Sequence, residues 1–547
     1  MPPATVLFFL LSLVSVGSAT PQLEVQLGNT TVIGTTSGSC VEFFGGIPFA
    51  EPPTGAQRLN TPVLKTQLPS GEFDATNFGP FCLQPGIPPD LVSEDCLTLN
   101  IFRPCGLSSD ASLPVLFWTY GGGFTGGGSP QYNASAIVTQ SMARGTPIVY
   151  VSWNYRLGPL GFPQGSEASE NGILNLGLQD QLACLEWVQH CIKAFGGDPS
   201  RVTMSGQSSG AIMTSILLFW PNITNLARAA IFESGSAASA GVFTADERGE
   251  IDWQNFVGGV PACNGTQNTN DTLACLRSVG SADILTGWSA ASSQTEFMFP
   301  WIPVVDGCFL STLPSILWSN GNFSRLPCIT GTVLDEGTLF TGNYSFADSM
   351  ISNFIIANFS PPFMQTSSTS DLQAAAQTIL QLYPNDPTLG SPFDTGNDTF
   401  GLSVPYKRVA AIEGDISFQS QRRLWAQTAA AQNVSVYVYM FTQPQSQAPP
   451  SLGVYHGSDV PFVYGAAGPV GSSNGNLSGM MMDYWVSFVS SLDPNDGLGA
   501  PRPTWSAYTS ASQSLMQLNG DNTTMIPDDY RQDQIQYIVN NSATFHH

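Results

Sequence analysis

Basic residues are scarce in this chain. Lysine and arginine together number 17 among 547 residues, against 40 aspartates and glutamates, for a formal net charge of −23. Charged residues are only 10% of the sequence, so the imbalance comes from missing cations rather than from acidic tracts. That excludes a nucleic-acid partner, because phosphate binding needs clustered cations, and electrostatic attachment to anionic lipid. Histidine is rarer still, at His190, His456, His546 and His547. No spacing of histidine and cysteine suggests a zinc site, and no cofactor is implied. After the first 19 residues no stretch has the ~20 continuous apolar residues of a spanning helix, so no membrane anchor is expected.

The leader reads differently. Met1–Ala19 carries an apolar core from Val6 to Val16 and then the small residues Gly17-Ser18-Ala19. This predicts a secretory signal peptide cleaved before Thr20, although its first residues lack lysine and arginine. N-x-Ser/Thr sequons recur from Asn29 to Asn540, which fits a secreted glycoprotein. Ten cysteines in such a chain imply some disulfides.

The most informative stretch is Gly206-Gln207-Ser208-Ser209-Gly210, preceded by Arg201-Val202-Thr203-Met204-Ser205. A short strand, a glycine-framed turn and the start of a helix make a nucleophile elbow with Ser208 at its tip. A serine hydroxyl needs a base. His190 sits on a helix beside Leu185 and Val188 and reads as a solvated surface residue, while His546 and His547 end the sequence, where little order is expected. Elimination leaves His456, in the glycine-flanked loop Gly453–Asp459 beyond the apolar strand Val436–Phe441. The acid that orients it should lie between Ser208 and His456 in the chain. Asp335 and Glu336 follow the strand-like Cys328–Val333, and spacing does not choose between them. Val115–Tyr120 is a buried strand by composition and empties into Gly121-Gly122-Gly123-Phe124. Residues without side chains let backbone N–H groups approach a substrate oxygen, and Ser209 should donate another. A phosphate cradle would want a lysine nearby, and none follows this run.

Strands near 115–120, 148–154, 202–206, 228–233, 327–333 and 434–441 alternate with helices near 176–195, 209–218, 421–432 and 479–491. This is the α/β pattern of a large, mostly parallel sheet. Length alone suggests several domains, but the site residues are far apart and must meet, so one domain is expected over 20–547. Residues 240–300 and 340–405 read as insertions over the active-site face, and Ser472–Ser478 as a surface loop.

These residues resemble the type-B carboxylesterase/lipase family, which includes cholinesterases and fungal lipases. The resemblance runs through Phe44-Gly45-Gly46-Ile47-Pro48-Phe49-Ala50, Ser93-Glu94-Asp95-Cys96-Leu97, Asn154-Tyr155-Arg156-Leu157-Gly158, Gly177-Leu178-Gln179-Asp180-Gln181, Phe195-Gly196-Gly197-Asp198-Pro199 and Asp483-Tyr484-Trp485. It implies the α/β-hydrolase fold. It assigns Ser208 as nucleophile, Glu336 as acid and His456 as base, with the N–H groups of Gly122, Gly123 and Ser209 as the oxyanion hole. It implies disulfides Cys82–Cys96 and Cys263–Cys275. Cys184 and Cys191 lie on one helix about two turns apart, too far for a bridge, and are expected to be reduced, while the pairing of Cys40, Cys105, Cys308 and Cys328 is open. Arg156 with Asp180, and the Glu94-Asp95 pair, match structural positions expected to be buried ion pairs. The chain departs from many relatives with Gln207 where they have glutamate, Ser209 for alanine and Cys191 for asparagine. Losing a carboxylate beside the nucleophile argues against a cationic substrate.

The implied activity is hydrolysis of carboxylic esters through an acyl-enzyme. Between Cys82 and Cys96 only Leu83–Asp95 intervene, stiffened by Pro85, Pro88 and Pro89. That predicts a short or absent lid and soluble to moderately hydrophobic substrates, with Phe124 and 33 phenylalanines pointing to an apolar acyl pocket. Lipase, steryl esterase and feruloyl esterase are the alternatives within the family. A catalytically dead binding or adhesion protein is the alternative outside it, and the survival of Ser208, Glu336 and His456 weighs against that.

Overall fold

The computed structural model describes residues 23–547 apart from positions 39, 268, 270, 296, 343–346 and 360–365. The expected leader Met1–Ala19 and the sequon positions Asn270 and Asn343 lie outside the described residues. Nine strands carry the frame: β1 (Val41–Pro48), β2 (Thr98–Pro104), β3 (Leu113–Thr119), β4 (Val149–Trp153), β5 (Gly197–Gln207), β6 (Ala229–Glu233), β7 (Cys328–Val333), β8 (Val436–Phe441) and β9 (Ser514–Leu518). They lie in the order β1-β2-β4-β3-β5-β6-β7-β8-β9. β1, β2 and β4 pair antiparallel, and from β4 to β9 every neighbour is parallel. Shorter strands at both ends bring the sheet to thirteen among the described residues.

The parallel strands are apolar on both faces because both faces are covered. Alternate residues of one strand enter opposite cores. Phe117 of β3 packs with helix Leu176–Cys191 and helix Ser209–Ile216, whereas Trp118 packs on the other face against helix Ser473–Ser491. Val436, Val438 and Met440 of β8 join the first core, and Tyr437, Tyr439 and Phe441 the second. This alternation fixes the register, since a one-residue slip would exchange the two faces. From β3 the chain crosses to β4 on one side and then to β5 on the other. The loops after β3 and β5 therefore diverge and leave a crevice at the carboxyl edge, where open α/β sheets bind ligands.

The scarce arginines are mostly paired inside. Arg156 donates from Nε and Nη2 to the Asp180 carboxylate, at 2.9 and 2.6 Å, with both residues buried. Glu94 is also buried but pairs with Arg58 at 2.6 Å, while its neighbour Asp95 is exposed. The expected Glu94-Asp95 unit is thus one ion-paired residue and one solvated residue, because successive residues there point to opposite sides. Disulfides join Cys82–Cys96, Cys263–Cys275 and Cys40–Cys105, and Cys184, Cys191, Cys308 and Cys328 are free thiols. No helix forms between Cys82 and Cys96. No helix of the described residues is long and apolar enough to cross a membrane.

Two sequence expectations fail here. Ser472–Ser478 is not a loop. Ser472 caps helix Ser473–Ser491, its hydroxyl accepting from Gly475 N at 3.1 Å, so a polar run that looked unstructured is a capped first turn. His546 and His547 are ordered. Val242 N donates to His546 O at 2.7 Å, Phe243 stacks on the His546 ring, and His547 is fully buried. His190 is exposed, as its helix position suggested.

Asp528 clamps the helix Ser420–Ala431 from the far end of the sequence, accepting from Arg422 Nη1 at 2.5 Å, Arg423 Nε at 3.1 Å and the Tyr508 hydroxyl at 3.1 Å. Burial pushes its carboxyl up, but the two guanidinium groups outweigh burial and hold it at about 2. A depressed carboxylate stabilises the fold above its unfolded value and loses that contribution as pH falls through its folded value. Stability from this clamp, on the order of 2 kcal/mol, should therefore disappear between about pH 4 and pH 2. Urea melts across that window should show a shallower acid decline for Asp528→Asn than for the parent chain.

Candidate active site

The carboxyl edge of the sheet brings five loops together. β5 ends at Gln207, and Ser208 turns the chain into helix Ser209–Ile216 with φ 55° and ψ −128°. A side chain in that left-handed region is strained by ~1–3 kcal/mol. The turn is held by Ser208 N donating to Glu233 O at 2.9 Å and Ile212 N donating to Ser208 O at 2.9 Å. The flanking glycines are required by contact. A Cβ on Gly206 would lie 2.5 Å from Gly210 C, and one on Gly210 would lie 2.1 Å from Thr119 O. Ser208 is partly accessible, as a projecting elbow residue should be.

The loop after β7 separates the two adjacent carboxylates. Glu336, 1% exposed, accepts from Val333 N through Oε1 at 2.9 Å, and its Oε2 lies 2.5 Å from His456 Nδ1. Asp335 turns the other way and accepts from Ser391 Oγ, Phe393 N and Val454 N at 2.8–2.9 Å. Asp335 therefore fastens the start of the histidine loop, while Glu336 meets the imidazole. Burial pushes Asp335 up, with the Val454 and Phe393 N–H groups pulling it back.

His456 is 7% exposed. The Phe340 and Phe418 rings lie 5.0 and 4.7 Å from its ring. Gln207 Nε2 lies 3.2 Å from His456 Nε2. An amide N–H donating there makes Nε2 the acceptor and Nδ1 the N–H donor toward Glu336, one self-consistent tautomer. Behind the ring lies a buried carboxyl pair. Burial lifts Asp459 to about 6, and burial with the neighbouring Asp459 lifts Glu233 well above the usual range. Tyr439 OH donates to Asp459 and Trp485 Nε1 to Glu233, both at 2.8 Å.

After β3 the chain enters Gly121–Gly128. Gly122 and Gly123 have φ 129° and 60°. Among the described residues no hydrogen bond engages the amide N–H of Gly122, Gly123 or Ser209, so all three are free to donate. A Cβ on Gly123 would strike the Phe299 ring at 2.6 Å. Gly123, Ser208 and Ser209 line one wall of a narrow pocket of about 60 Å³ that opens to solvent. Met298 and Phe299 come to it from the 240–300 region, Ile302 from just beyond it, Phe340 and Asn358 from the 340–405 region, and Glu413, Ser417 and Phe418 from the segment after that. Glu336 and His456 sit behind the Phe340–Phe418 wall and Gly122 one residue back from the lining.

Sequence reasoning missed Phe340, Phe418 and Glu413. The sequence pattern predicts a helix only from near 421, whereas in the fold helical structure runs from Tyr406 to Ala431. In the fold, Asp415–Gln419 is a π-helical turn inside it, and such turns re-aim side chains.

Comparison with known proteins bears on the family and the overall fold. Residues 20–538 match the model of the carboxylesterase family. Secreted lipase 1 of Botryotinia fuckeliana is 34% identical over 97% of this chain and 94% of its own. Lipase 2 of Diutina rugosa is 32% identical over 98% and 99%. The crystal structure of Aspergillus niger EstA superposes with TM-score 0.81 at 27% identity, covering 96% of this chain and 99% of its own. A PNB esterase superposes with TM-score 0.76 at 26% identity, covering 94% and 100%.

The elbow contacts generate a prediction. Gly206→Ala forces a methyl group into Gly210, and overpacking of this kind costs about 1–3 kcal/mol. Thermal melts should show a lowered Tm. An unchanged Tm would mean that the turn can open and that the glycine contacts do not fix it.

Proposed function

We propose, since the chain belongs to the carboxylesterase family and is a carboxylic-ester hydrolase, that it works through Ser208, His456 and Glu336 by way of an acyl-enzyme. The observation that carries this reading is the 2.5 Å contact between Glu336 Oε2 and His456 Nδ1 beside the elbow of Ser208. His456 Nε2 takes the proton of the Ser208 hydroxyl as the oxygen attacks the ester carbonyl, displacing the Gln207 amide from that lone pair. The carbonyl oxygen becomes an oxyanion held by the N–H groups of Gly122, Gly123 and Ser209, each donor worth about 2.7–4 kcal/mol in the transition state. Collapse breaks the ester bond, and His456 gives its proton to the leaving alcohol. Water then attacks the acyl-serine with His456 again as base, which frees the acid and restores Ser208. Glu336 stays ionised, holds the Nδ1–H tautomer and stabilises the imidazolium.

The short helix-free loop between Cys82 and Cys96 supports an open site acting on soluble to moderately hydrophobic esters without an oil–water interface. The lipase relatives favour a second reading, hydrolysis of acylglycerols. The leader and the relatives named as secreted lipases support export, and the sequons support glycosylation.

Rates on p-nitrophenyl esters of increasing acyl length, below and above each solubility limit, test this reading. An open site gives ordinary saturation and a short-chain optimum. A jump in rate at the solubility limit with a long-chain optimum would favour the lipase reading instead. Ser208→Ala should abolish turnover and labelling by a fluorophosphonate. Glu336→Gln, which keeps the shape but favours the wrong tautomer, should lower kcat by about 10⁴. Full activity in Glu336→Gln would remove it from the triad.

A further inference from the structure

The pocket beside Ser208 is apolar along most of its wall, with Phe124, Ile212, Met298, Phe299, Phe340 and Phe418. One carboxyl group breaks that pattern. Glu413 lies at the end of helix Tyr406–Gly414 and is only 5% exposed, yet it lines the pocket. Its Oε1 accepts from Ser417 Oγ at 3.1 Å, across the π-helical turn. Its Oε2 takes no hydrogen bond among the described residues, and no ion pair reaches either oxygen. Burial lifts the carboxyl to about 7, with the Ser417 bond pulling it back.

A carboxyl with one oxygen left unpaired in an apolar wall is costly, and a leucine would fill the same wall without that cost. The helix itself does not need the charge. Its contact with the loop after β7 is made by backbone, with Gly337 close against Ala410 O and Gly414. Ser417 beside Glu413 adds a second polar group on the same patch. A mostly apolar wall that carries a carboxyl and a hydroxyl side by side is an arrangement that orients a ligand with a matching polar group.

Building on the hydrolase reading above, we propose that Glu413, supported by Ser417, selects esters whose acyl chain carries a hydroxyl group. A hydroxyl can donate to the carboxylate and accept from the protonated acid, so it is satisfied in either state of Glu413. An alkyl chain of the same length would leave the carboxyl desolvated and unpaired, which penalises it. The aromatic walls then hold the methylene or ring portion between the ester and the hydroxyl.

The test uses p-nitrophenyl esters in matched pairs, alkanoyl and ω-hydroxyalkanoyl, from five to ten carbons, with the acetate as reference. The ratio of kcat/KM within each pair is compared for the parent chain, Glu413→Leu and Glu413→Gln. The parent should favour the hydroxyacyl member at the length that reaches Glu413. Glu413→Leu should shift that ratio about tenfold or more toward the alkyl member, the equivalent of one hydrogen bond to a charged group. Glu413→Gln, which still donates and accepts, should retain most of the preference. Both variants should keep near-UV circular dichroism and fluorophosphonate labelling of Ser208, and Glu413→Leu should raise Tm by removing a carboxyl with one unpaired oxygen from the wall. Equal ratios in the parent and Glu413→Leu at every length, with acetate still hydrolysed, would overturn this inference alone. A parent chain that hydrolyses neither the acetate nor any longer ester would overturn the hydrolase reading with it.

Discussion

Backbone-to-backbone packing at the end of β5 is the constraint from which the site is built. Gly206, Gly210 and the loop after β3 approach so closely that no Cβ fits between them. Gly121 is held the same way, since a Cβ there would lie 2.7 Å from Gln207 O and 2.8 Å from Ser208 Cβ. The distance from the elbow to the glycine loop is thus set by main chain, not by side-chain choice. The open amides of Gly122, Gly123 and Ser209 inherit that fixed spacing. The strain at Ser208 is tolerated because helix Ser209–Ile216 is buried throughout, with Ala211, Ile212, Met213 and Ile216 in the larger core. Packing of the core and placement of the serine are one energetic event.

Around the imidazole the constraint is electrostatic. A chain with few cations has little to neutralise buried carboxylates near the sheet edge, and none of the ion pairs to Glu233, Glu336 or Asp459 involves lysine or arginine. Hydrogen bonds take their place: Trp485 on Glu233, Tyr439 on Asp459, Val333 N on Glu336. The arginines serve the frame instead, in the pairs of Arg58 with Glu94, Arg103 with Glu42 and Arg156 with Asp180. His456 is therefore the group that answers Glu336, and burial pushes the neighbouring Asp459 and Glu233 carboxyls up. Replacing the glutamate common in relatives by Gln207 keeps one more negative charge out of this crowded region. It supplies a donor for His456 Nε2 in its place.

Much of this was legible in the sequence for physical reasons. Strands at 113–119, 149–153, 197–207, 229–233, 328–333 and 436–441 fall where apolar runs end in turn residues. The elbow is legible because only glycine fits on either side of the serine. The choice between Asp335 and Glu336 was not open to local reasoning, since it depends on which side of a turn faces a loop 120 residues later. The capped turn at Ser473 was hidden because serine, asparagine and glycine suit both a loop and a helix start. The burial of His547 was hidden because it rests on packing against distant segments. The π-helical turn at Asp415–Gln419 left no mark, because its extra residue does not alter the composition of an otherwise helical stretch.

Chemistry and selectivity lie on different parts of the fold. Ser208, Glu336, His456 and the glycine loop lie in the loops after β5, β7, β8 and β3 of the parallel sheet, whose strand separation is fixed by the hydrogen-bonded ladder. The pocket walls come from segments outside the sheet: Met298 and Phe299 from one region, Phe340 and Asn358 from another, Glu413 and Phe418 from the helix after it. Phe340 and Phe418 touch both, since each lines the pocket and lies tilted against the His456 ring at 5.0 and 4.7 Å. A change in the pocket wall that moves either ring also moves the imidazole. Residues such as Glu413 and Met298, which do not stack on His456, are the places where the pocket wall can change without disturbing the imidazole. An acid at position 413 is therefore a difference in what the pocket accepts, separable from how the ester bond is broken.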